Sequence, residues 1–447
     1  MSHDISHDMQ SPYAEHFRTL QSRHRDAMEA ADIDHLLIPS GSLHVAFLDD
    51  YTYPFVVNPL FKYWVPVTNN PNSLLVITPG EKPKLAFYSP VDFWHKTHPV
   101  PEDFWTDHFD IHPVAKLDEA VSLLPADLSR TAWLGEPHPL TEEWGVGSVN
   151  PEGLINHLHY QRAWKTGYEI ECLRQANRVA ARAHMAAEAA FRNGASEFDI
   201  HMAYLEGGEH NEHQLPYGNI VALNEHAAIL HYQYQSREAP SEHRSFLIDA
   251  GCVHNGYNSD ITRTYASGKN EFAELIDRMH VLQKAICDEI APGLDYAELH
   301  VGTHRKLADV LNEFGLAEGS SEALLADGVT RAFFPHGLGH FLGLQVHDVG
   351  GLQASASGGT IDRPADHPFL RLTRDIDVDQ VFTIEPGLYF IPSLLDDLKS
   401  GSGGKLVNWD RVRAFMPFGG IRIEDNIHVT ADGHDNLTRE AFNAEGR

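Results

Sequence analysis

Four carboxylates stand inside or directly behind apolar, strand-like stretches of this 447-residue chain. Burying one unpaired carboxylate costs several kcal/mol, so a single one is more often half of an ion pair. Four of them favour a shared cation, and a strand–turn–strand hairpin can bring two aspartates eleven residues apart onto one face. They are Asp249 in FLIDAG, Asp260 in NSDITRT, Glu385 in FTIEPG and Glu424 in RIEDN.

A glycine-rich segment, FFPHGLGHFLGLQVHDVG (333–350), adds three histidines between the second and third carboxylates. His336, His340 and His347 could mark a helix face, a set of metal ligands or an ordinary loop. Four carboxylates and one imidazole suit two divalent ions of the Mn²⁺, Co²⁺ or Zn²⁺ kind. Two such ions about 3.5–4 Å apart can share a hydroxide and polarise a carbonyl. No single motif is specific, but the set in this order predicts a dinuclear centre.

The elements that would position these residues follow from hydrophobic periodicity and turn signals. Strands joined by turns are predicted within 222–235, which would place His231 in a strand, and within 244–265, 380–391 and 419–430. Helices are predicted at 270–291 and 295–314, and the Gly/Ser-rich stretch 393–412 is predicted to be an exposed insertion.

The first part of the chain has the alternating helix and strand pattern of an α/β domain. A helix is predicted over 13–34, strands at 35–41 and 131–138, and a hairpin at 73–90. A long helix is predicted over 166–193, where Thr166 and Glu169 have capping-box spacing. We place the domain boundary just before it, giving domains 1–163 and 164–447 and an α+β fold class.

The amino-acid composition limits the binding partners and the cellular compartment that can be expected. With 34 basic and 63 acidic residues the formal charge is −29, which argues against nucleic acid or an anionic membrane as partner. Three isolated cysteines form no CxxC pair and fit a reducing compartment. Neither a signal-peptide pattern nor a membrane-spanning apolar run is found, so a cytoplasmic location is predicted.

The ordered set Asp249, Asp260, His340, Glu385 and Glu424 resembles the five ligands of the pita-bread metallopeptidases. That family includes methionine aminopeptidase, aminopeptidase P, prolidase and the metal-free creatinase. The resemblance covers roughly 166–447 and implies a duplicated α/β catalytic domain whose curved sheet surrounds two divalent ions. Mn²⁺ is the ion it suggests, with Co²⁺ or Zn²⁺ as alternatives.

Two further stretches narrow the resemblance to one subgroup. FLDDYTYPFVVNPLFKYWVPVT (47–68) and PFGGIRIEDN (417–426) are similar to bacterial prolidases, the Xaa-Pro dipeptidases. They are similar as well to organophosphorus acid anhydrolases, which descend from prolidases. The resemblance implies hydrolysis of Xaa-Pro dipeptides by a hydroxide bridging two metals, a side activity on organophosphate triesters, and a homodimer.

The same resemblance implies roles for the histidines and for one glutamate. His340 would be the imidazole ligand, while His336 and His347 would line the substrate cleft. His347 would stabilise the tetrahedral intermediate, and His336 would have a binding role, with a hydrogen-bonded wall residue as the alternative. His231 would be a second substrate-contacting histidine, whereas a lone histidine in a strand is by default a core residue. Glu385 would be both a ligand and the general base.

A dipeptide also needs charged contacts at its two ends. Arg371 is expected to bind the C-terminal carboxylate as a fork, with Arg374 as the neighbouring alternative. Arg422, two residues before Glu424, is expected on the same strand face, where it would orient Glu424 or the bridging groups.

Five more residues complete the implied substrate site. Asp49 and Asp50, reaching in from a partner subunit, are the candidates for the substrate ammonium, with a turn or cap role as the alternative. Tyr217 would flank the pocket, and with Val346 and Leu370 it would set the rate on organophosphates.

Three alternatives stay open. Aminopeptidase P and methionine aminopeptidase use the same ligands, but the large N-terminal domain counts against the second and Arg371 against the first. A phosphotriesterase could use the same centre. A binding module without metals would require a missing ligand, and all five are present.

Overall fold

The computed structural model describes residues 3–446, and these divide into two units. The first unit comprises Met1–Glu171 with Ser355–Gly359, and the second comprises Cys172–Ala354 with Thr360–Arg447. Met1 and Ser2, which open the stretch searched for a signal peptide, lie outside the described residues. No helix within 3–446 has the length and apolar content needed to cross a membrane.

The first unit is an α/β domain built on one mixed sheet. Its strands are β1 (His35–Pro39), β2 (Leu74–Ile77), β3 (Lys84–Tyr88), β4 (Asp110–Val114), β5 (Thr131–Trp133) and β6 (Ser148–Val149). Its helices are α1 (His3–Ala31), α2 (Pro59–Trp64), α3 (Leu140–Glu143) and α4 (Glu152–Gln161). The described strands run in the order β4-β3-β2-β1-β5-β6, and Leu37, Val76 and Trp133 lie in the core beneath them. The predicted hairpin at 73–90 and the α/β character are confirmed.

Helix α5 (Gly167–Arg192) begins at the predicted capping box. The backbone N–H of Thr166 donates to Oε2 of Glu169 at 2.9 Å, and the N–H of Glu169 donates to Oγ1 of Thr166 at 3.4 Å. Gly194 follows with φ +78°, a conformation that glycine adopts without strain. The division between the two units falls within this helix, and the predicted boundary at 163/164 stays a prediction.

The second unit carries its strands in several short sheets. Its strands are β7 (Ile220–Leu223), β8 (Ser245–Ala250), β9 (Val253–His254), β10 (Tyr257–Asn258), β11 (Ile261–Ala266), β14 (Val381–Ile384), β15 (Gly387–Tyr389), β16 (Gly420–Arg422), β17 (Asp425–Thr430) and β18 (Gly433–Asn436). The short paired strands β12 (Gln353–Ser355) and β13 (Gly358–Thr360) lie across the division, because Ser355–Gly359 belong to the first unit. Its helices are α6 (Glu197–Gly208), α7 (Glu271–Cys287), α8 (Tyr296–Glu313), α9 (Ser321–Ala326), α10 (Val329–Phe333), α11 (Pro392–Ser400), α12 (Trp409–Phe415) and α13 (Leu437–Ala444). The helices predicted at 270–291 and 295–314 are therefore confirmed.

Strand pairing brings the carboxylates of this unit together. Thr262 on β11 pairs with Asp249 on β8 and also forms a β-bridge with Glu424. Residues directly opposite each other on paired strands share a face of the sheet. Asp260 lies two positions before Thr262, and Glu385 directly follows β14, whose Ile384 pairs with β17.

Local structure departs from the sequence analysis in two places. The stretch 393–412, predicted to be an exposed insertion, is exposed over much of its length, but it is helical and forms most of α11, a 3₁₀ turn and the start of α12. These helices each bury one face, through Leu395 and Leu398 in α11 and Val412 in α12. This burial stabilises helical structure despite the glycine and serine content, which disfavours helices. The strand predicted over 222–235 ends at Leu223, so His231 lies in a turn after a 3₁₀ helix.

Candidate metal centre

Five ionisable side chains converge at the edge of the sheets in the second unit. Nε2 of His340 lies 3.4 Å from Oδ2 of Asp260 and 3.7 Å from Oε1 of Glu385. Ligand atoms of Asp260, His340 and Glu424 all lie within 4.8 Å of one another. Asp249 is joined to Asp260 by the hydroxyl of Tyr217, which contacts their Oδ1 atoms at 2.7 and 2.5 Å.

The backbone fixes which nitrogen of His340 faces the carboxylates. Nδ1 of His340 lies 2.9 Å from the carbonyl oxygen of Phe341, which can only accept, so Nδ1 carries the hydrogen. In the neutral ring, the form that binds a metal, Nε2 presents a lone pair toward Asp260 and Glu385, whereas in the protonated ring Nε2 donates to Asp260 instead. A ring oriented in this way by the backbone is typical of a histidine that binds a metal.

The carboxylates resist ionisation where they are buried together. Burial raises the pKa of Glu385 to about 7, and burial with the neighbouring carboxylates raises the pKa of Glu424 well above its usual value. Burial also raises the pKa of Asp249, and Arg422 offsets this only in part. For Asp260, burial is outweighed by the hydrogen bond and charge of His340, so its pKa is lowered. Four acids in one place, none with more than 16% of its side chain exposed, are a donor set that fits hard divalent cations, which would favour the ionised forms.

A chain of hydrogen bonds lines one side of the centre. Nη2 of Arg422 donates to Oδ2 of Asp249 at 2.6 Å, and Nη1 donates to the hydroxyl of Tyr389 at 2.8 Å. The Tyr389 hydroxyl lies 2.8 Å from Nε2 of His336, whose Nδ1 lies 2.8 Å from the carbonyl of Gly337. Both ring nitrogens of His336 therefore have partners within the protein.

The centre opens into a cavity of about 510 Å³, of the size that small-molecule sites have. The predicted residues that line it are the five candidate ligands together with His231, His336, His347, Arg371 and Arg422. Apolar lining comes from Leu230, Phe369, Ile391 and Leu394.

Other predicted site residues lie elsewhere. Val346 and Leu370 are not among the lining residues, and Leu370 is only 1% exposed. Arg374 is buried, with Nη1 donating to the carbonyl of Gly350 at 3.4 Å. Asp49 and Asp50 are exposed in a turn of the first unit, where Oδ1 of Asp49 accepts from the N–H of Asp50 at 2.7 Å.

Two polar contributors were not anticipated in the sequence. Thr262 donates from Oγ1 to Oε2 of Glu424 at 2.6 Å and accepts from Nε of Arg422 at 3.1 Å. Tyr389, which links Arg422 to His336, sits two residues beyond Gly387 on β15. Position was the one signal for Thr262, which follows Asp260 by two residues at the start of β11. No sequence signal indicated Tyr389. Tyr217 was expected to flank the pocket, whereas its hydroxyl bridges two candidate ligands.

Comparison with known proteins gives a consistent result. The model of the Xaa-Pro dipeptidase N-terminal domain matches residues 11–160, and that of metallopeptidase family M24 matches residues 171–431. An Xaa-Pro dipeptidase of Stenotrophomonas maltophilia (strain K279a) is 51% identical over 441 residues, covering 98% of this chain and 99% of the relative. One from Pseudoalteromonas atlantica is 51% identical over 432 residues, covering 96% and 98%.

Solved structures share the fold. Aminopeptidase P from E. coli with the inhibitor Pro-Leu superposes with a TM-score of 0.72 at 24% identity, covering 95% of each chain. Proline aminopeptidase P II from Yersinia pestis gives 0.70 at 23% identity, covering 97% of this chain and 96% of that one. The expected α+β fold, with an N-terminal domain and a pita-bread domain, is confirmed.

Proposed function

The chain belongs to metallopeptidase family M24, among its Xaa-Pro dipeptidases, and from this premise we propose that it cleaves Xaa-Pro dipeptides at a dinuclear centre. The observation that carries the proposal is the convergence of four carboxylates and one oriented imidazole on a single cavity. The products would be one amino acid and proline. The five ligands we propose are Asp249, Asp260, His340, Glu385 and Glu424.

The donor chemistry supports hard or borderline divalent ions, with Mn²⁺ as our first choice and Co²⁺ or Zn²⁺ as alternatives. Such ions, when bound, supply an activated water and polarise the scissile carbonyl. The carboxylates hold them in ionised form, and Arg422 keeps Asp249 oriented from behind. Thr262 does the same for Glu424.

Proton transfer falls to Glu385 in this proposal. Its carboxyl group lines the cavity, and burial already raises its pKa to about 7. In that position its carboxylate would accept a proton from the attacking water and return it to the leaving proline nitrogen. Burial lowers the pKa of His347 to about 4, so its neutral ring can donate an N–H to the carbonyl oxygen.

We assign His336 to the cleft wall, because both its nitrogens have partners, and His231 to substrate contact at the rim.

Recognition of the dipeptide carboxylate is assigned to Arg371. This guanidinium lines the cavity, whereas Arg374 is buried against Gly350 and the ring of Phe341. A fork that binds a free carboxylate favours dipeptides over longer peptides, and this supports a dipeptidase over an aminopeptidase P. The likeness to aminopeptidase P structures extends to the fold alone.

The substrate ammonium is assigned to Asp50 of a partner subunit in a homodimer. The carboxylate of Asp49 stabilises the turn in which it lies, because it accepts hydrogen bonds from the backbone N–H groups of Asp50 and Tyr51. We therefore assign the ammonium contact to Asp50. Large apolar side chains beside this turn are exposed, Phe47 to 88% and Leu48 to 91%. Such exposure is typical of a surface that a second copy covers. Light scattering should therefore give twice the 50.0 kDa chain mass, and a monomer would contradict this part of the proposal.

Hydrolysis of organophosphate triesters is proposed as a side activity. Tetrahedral phosphorus resembles the intermediate of amide hydrolysis, and the apolar wall of Leu230, Phe369 and Leu394 can accept ester groups. Because Val346 and Leu370 do not line the cavity, we expect their influence on this activity to be indirect.

The decisive assay compares Leu-Pro with Leu-Pro-Pro, with Mn²⁺ and after chelation. Metal-dependent cleavage of the dipeptide alone supports the proposal. Comparable cleavage of the tripeptide would indicate aminopeptidase P, and no cleavage of either with metal bound would leave phosphotriesters as the next substrate class to test.

A further inference from the structure

Three histidines form a second cluster in the second unit, apart from the centre described above. His300 and His304 lie four residues apart on α8 and so project from one face of that helix. His367 joins them from the irregular segment between β13 and β14. The ring centroids lie 4.8 Å apart for His300 and His304, and 4.5 Å from each of them to His367. One nitrogen of each ring lies within 4.8 Å of one from each of the others.

The nitrogens of this cluster lack the partners that buried polar groups normally have. His300 is 1% exposed and His304 is 0% exposed. Among the described residues, Nδ1 of His300 and both nitrogens of His304 make no hydrogen bond. Leaving a buried acceptor or donor unsatisfied costs about 1–3 kcal/mol. Two of the three clustered rings, His300 and His304, therefore hold buried nitrogens without a hydrogen-bond partner in the described part of the chain, which is a costly arrangement unless something binds between the rings.

We propose that His300, His304 and His367 bind one divalent cation of borderline softness, Zn²⁺ first, as a site separate from the carboxylate centre. Three neutral imidazoles suit Zn²⁺, whereas Mn²⁺ prefers oxygen ligands. His367 is half-buried, so a fourth ligand can come from solvent.

Charge around the cluster is compatible with a cation. Burial lowers the pKa of His304 to about 3 and that of His300 well below its usual value, so their lone pairs are available at neutral pH. Arg331, whose charge acts on His304, forms an ion pair with Asp366, which balances that charge. His336, the remaining titratable neighbour, is neutral because burial lowers its pKa to about 3.

The position of the cluster gives the ion a structural consequence. His367 lies four residues before Arg371, and the backbone of Leu370 and Arg371 lies against Gly337 in the cavity wall. Phe334 packs on His304 at 4.9 Å and edge-on against His336 at 4.8 Å. An ion at the three histidines would tie the segment carrying Arg371 to helix α8. The inference does not depend on the proposed dipeptidase function, because it concerns different residues and a different class of ligand.

The test counts ions rather than turnovers. Chelated full-length protein is dialysed to equilibrium against a micromolar Zn²⁺ buffer, and zinc per chain is measured by mass spectrometry. We expect three ions for the wild type, two for His367→Ala and three for His213→Ala. His213 is an exposed histidine outside both clusters and serves as the matched control. His367→Gln repeats the loss with less change in volume, and circular dichroism checks that each variant folds.

Equal zinc in the wild type and in folded His367→Ala and His367→Gln would overturn the proposal, as would an equal loss in His213→Ala. Asp260→Asn separates the two centres. It should lose zinc from the carboxylate set and keep the ion that His367→Ala removes. If the wild type binds a single ion and His367→Ala loses it, the histidine site stands while the proposed dinuclear centre fails.

Discussion

Nη2 of Arg422 donates a 2.6 Å hydrogen bond to Oδ2 of Asp249, and both residues lie at the wall of the cavity. Burial disfavours the charge on Arg422, but the neighbouring Tyr389 and the carboxylates outweigh it, so its pKa is raised. The guanidinium is thus permanently charged and holds one carboxylate oxygen of Asp249, a residue that would bind the proposed ions. The sequence analysis expected Arg422 to orient Glu424 or the bridging groups; its direct hydrogen bond is to Asp249, and Thr262 connects it to Glu424.

Arg422→Lys should weaken both Mn²⁺ binding and kcat by about 10–100-fold, since groups that orient metal ligands have effects of that size. Lysine keeps the charge but cannot contact Asp249, Tyr389 and Thr262 at once. Calorimetry of Mn²⁺ binding and kcat for Leu-Pro are the measurements. Arg413→Lys, at an arginine with 58% of its side chain exposed, is the control. Unchanged Mn²⁺ affinity would mean that Arg422 does not position Asp249.

Asp260→Asn should lower kcat/KM by at least about 100-fold, because amides bind divalent ions more weakly than carboxylates and the contact with His340 changes. Mn²⁺ per chain, measured alongside activity, should fall as well. Asp432→Asn, at an exposed turn residue, should leave both values unchanged. Full turnover with both ions bound would contradict the dinuclear assignment.

Arg371→Ala should raise KM for Leu-Pro by about 10–100-fold, which corresponds to the loss of charge-assisted hydrogen bonds to a carboxylate. The effect on kcat should be smaller, and Arg371→Lys should restore part of the affinity. Arg374→Ala is the informative comparison: because Arg374 is buried, it should lower the melting temperature rather than raise KM. If Arg374→Ala raised KM and Arg371→Ala did not, Arg374 rather than Arg371 would bind the substrate carboxylate.

The metal-free protein should lose stability as pH rises from about 4.5 to about 7 through Glu385. Burial raises the pKa of Glu385 from 4.5 to about 7, so the folded chain holds this proton where the unfolded chain has released it. Stability then falls with rising pH in that window. Melting temperatures of chelated wild type and Glu385→Gln, compared at pH 5 and pH 7.5, isolate this contribution from the histidines. With saturating Mn²⁺ the wild type should no longer lose stability between pH 5 and pH 7.5 through Glu385, because a bound cation favours the ionised form of this carboxylate.

Much of the secondary structure could be predicted from local signals in the sequence. The Thr166–Glu169 capping box and the hairpin of β2 and β3 depend on neighbours in the chain, and both were predictable. The helices within 393–412 were missed because their stability comes from burying Leu395 and Leu398 rather than from propensity. His231 was placed in a strand for a different reason, because a run of apolar residues does not reveal where the strand ends.

Long-range partners were beyond the reach of sequence patterns. The four-residue spacing of His300 and His304 was readable, but nothing in the chain indicated that His367 would complete the cluster. The contact of Tyr389 with His336 and Arg422 likewise depends on how β15 pairs with β16. Spacing predicts which residues share a face, while tertiary packing decides which faces meet.

The Thr262–Glu424 hydrogen bond joins residues 162 positions apart, and this separation bears on how the protein folds. Asp249 and Asp260 can meet early, since β8 and β11 are close in sequence, but Glu424 arrives only when distant segments dock. Closing so long a loop is slow, and a complete site for the ions exists only afterwards. Metal ions should therefore leave the refolding rate nearly unchanged and slow unfolding, so that bound metal protects the native state kinetically without guiding the chain toward it.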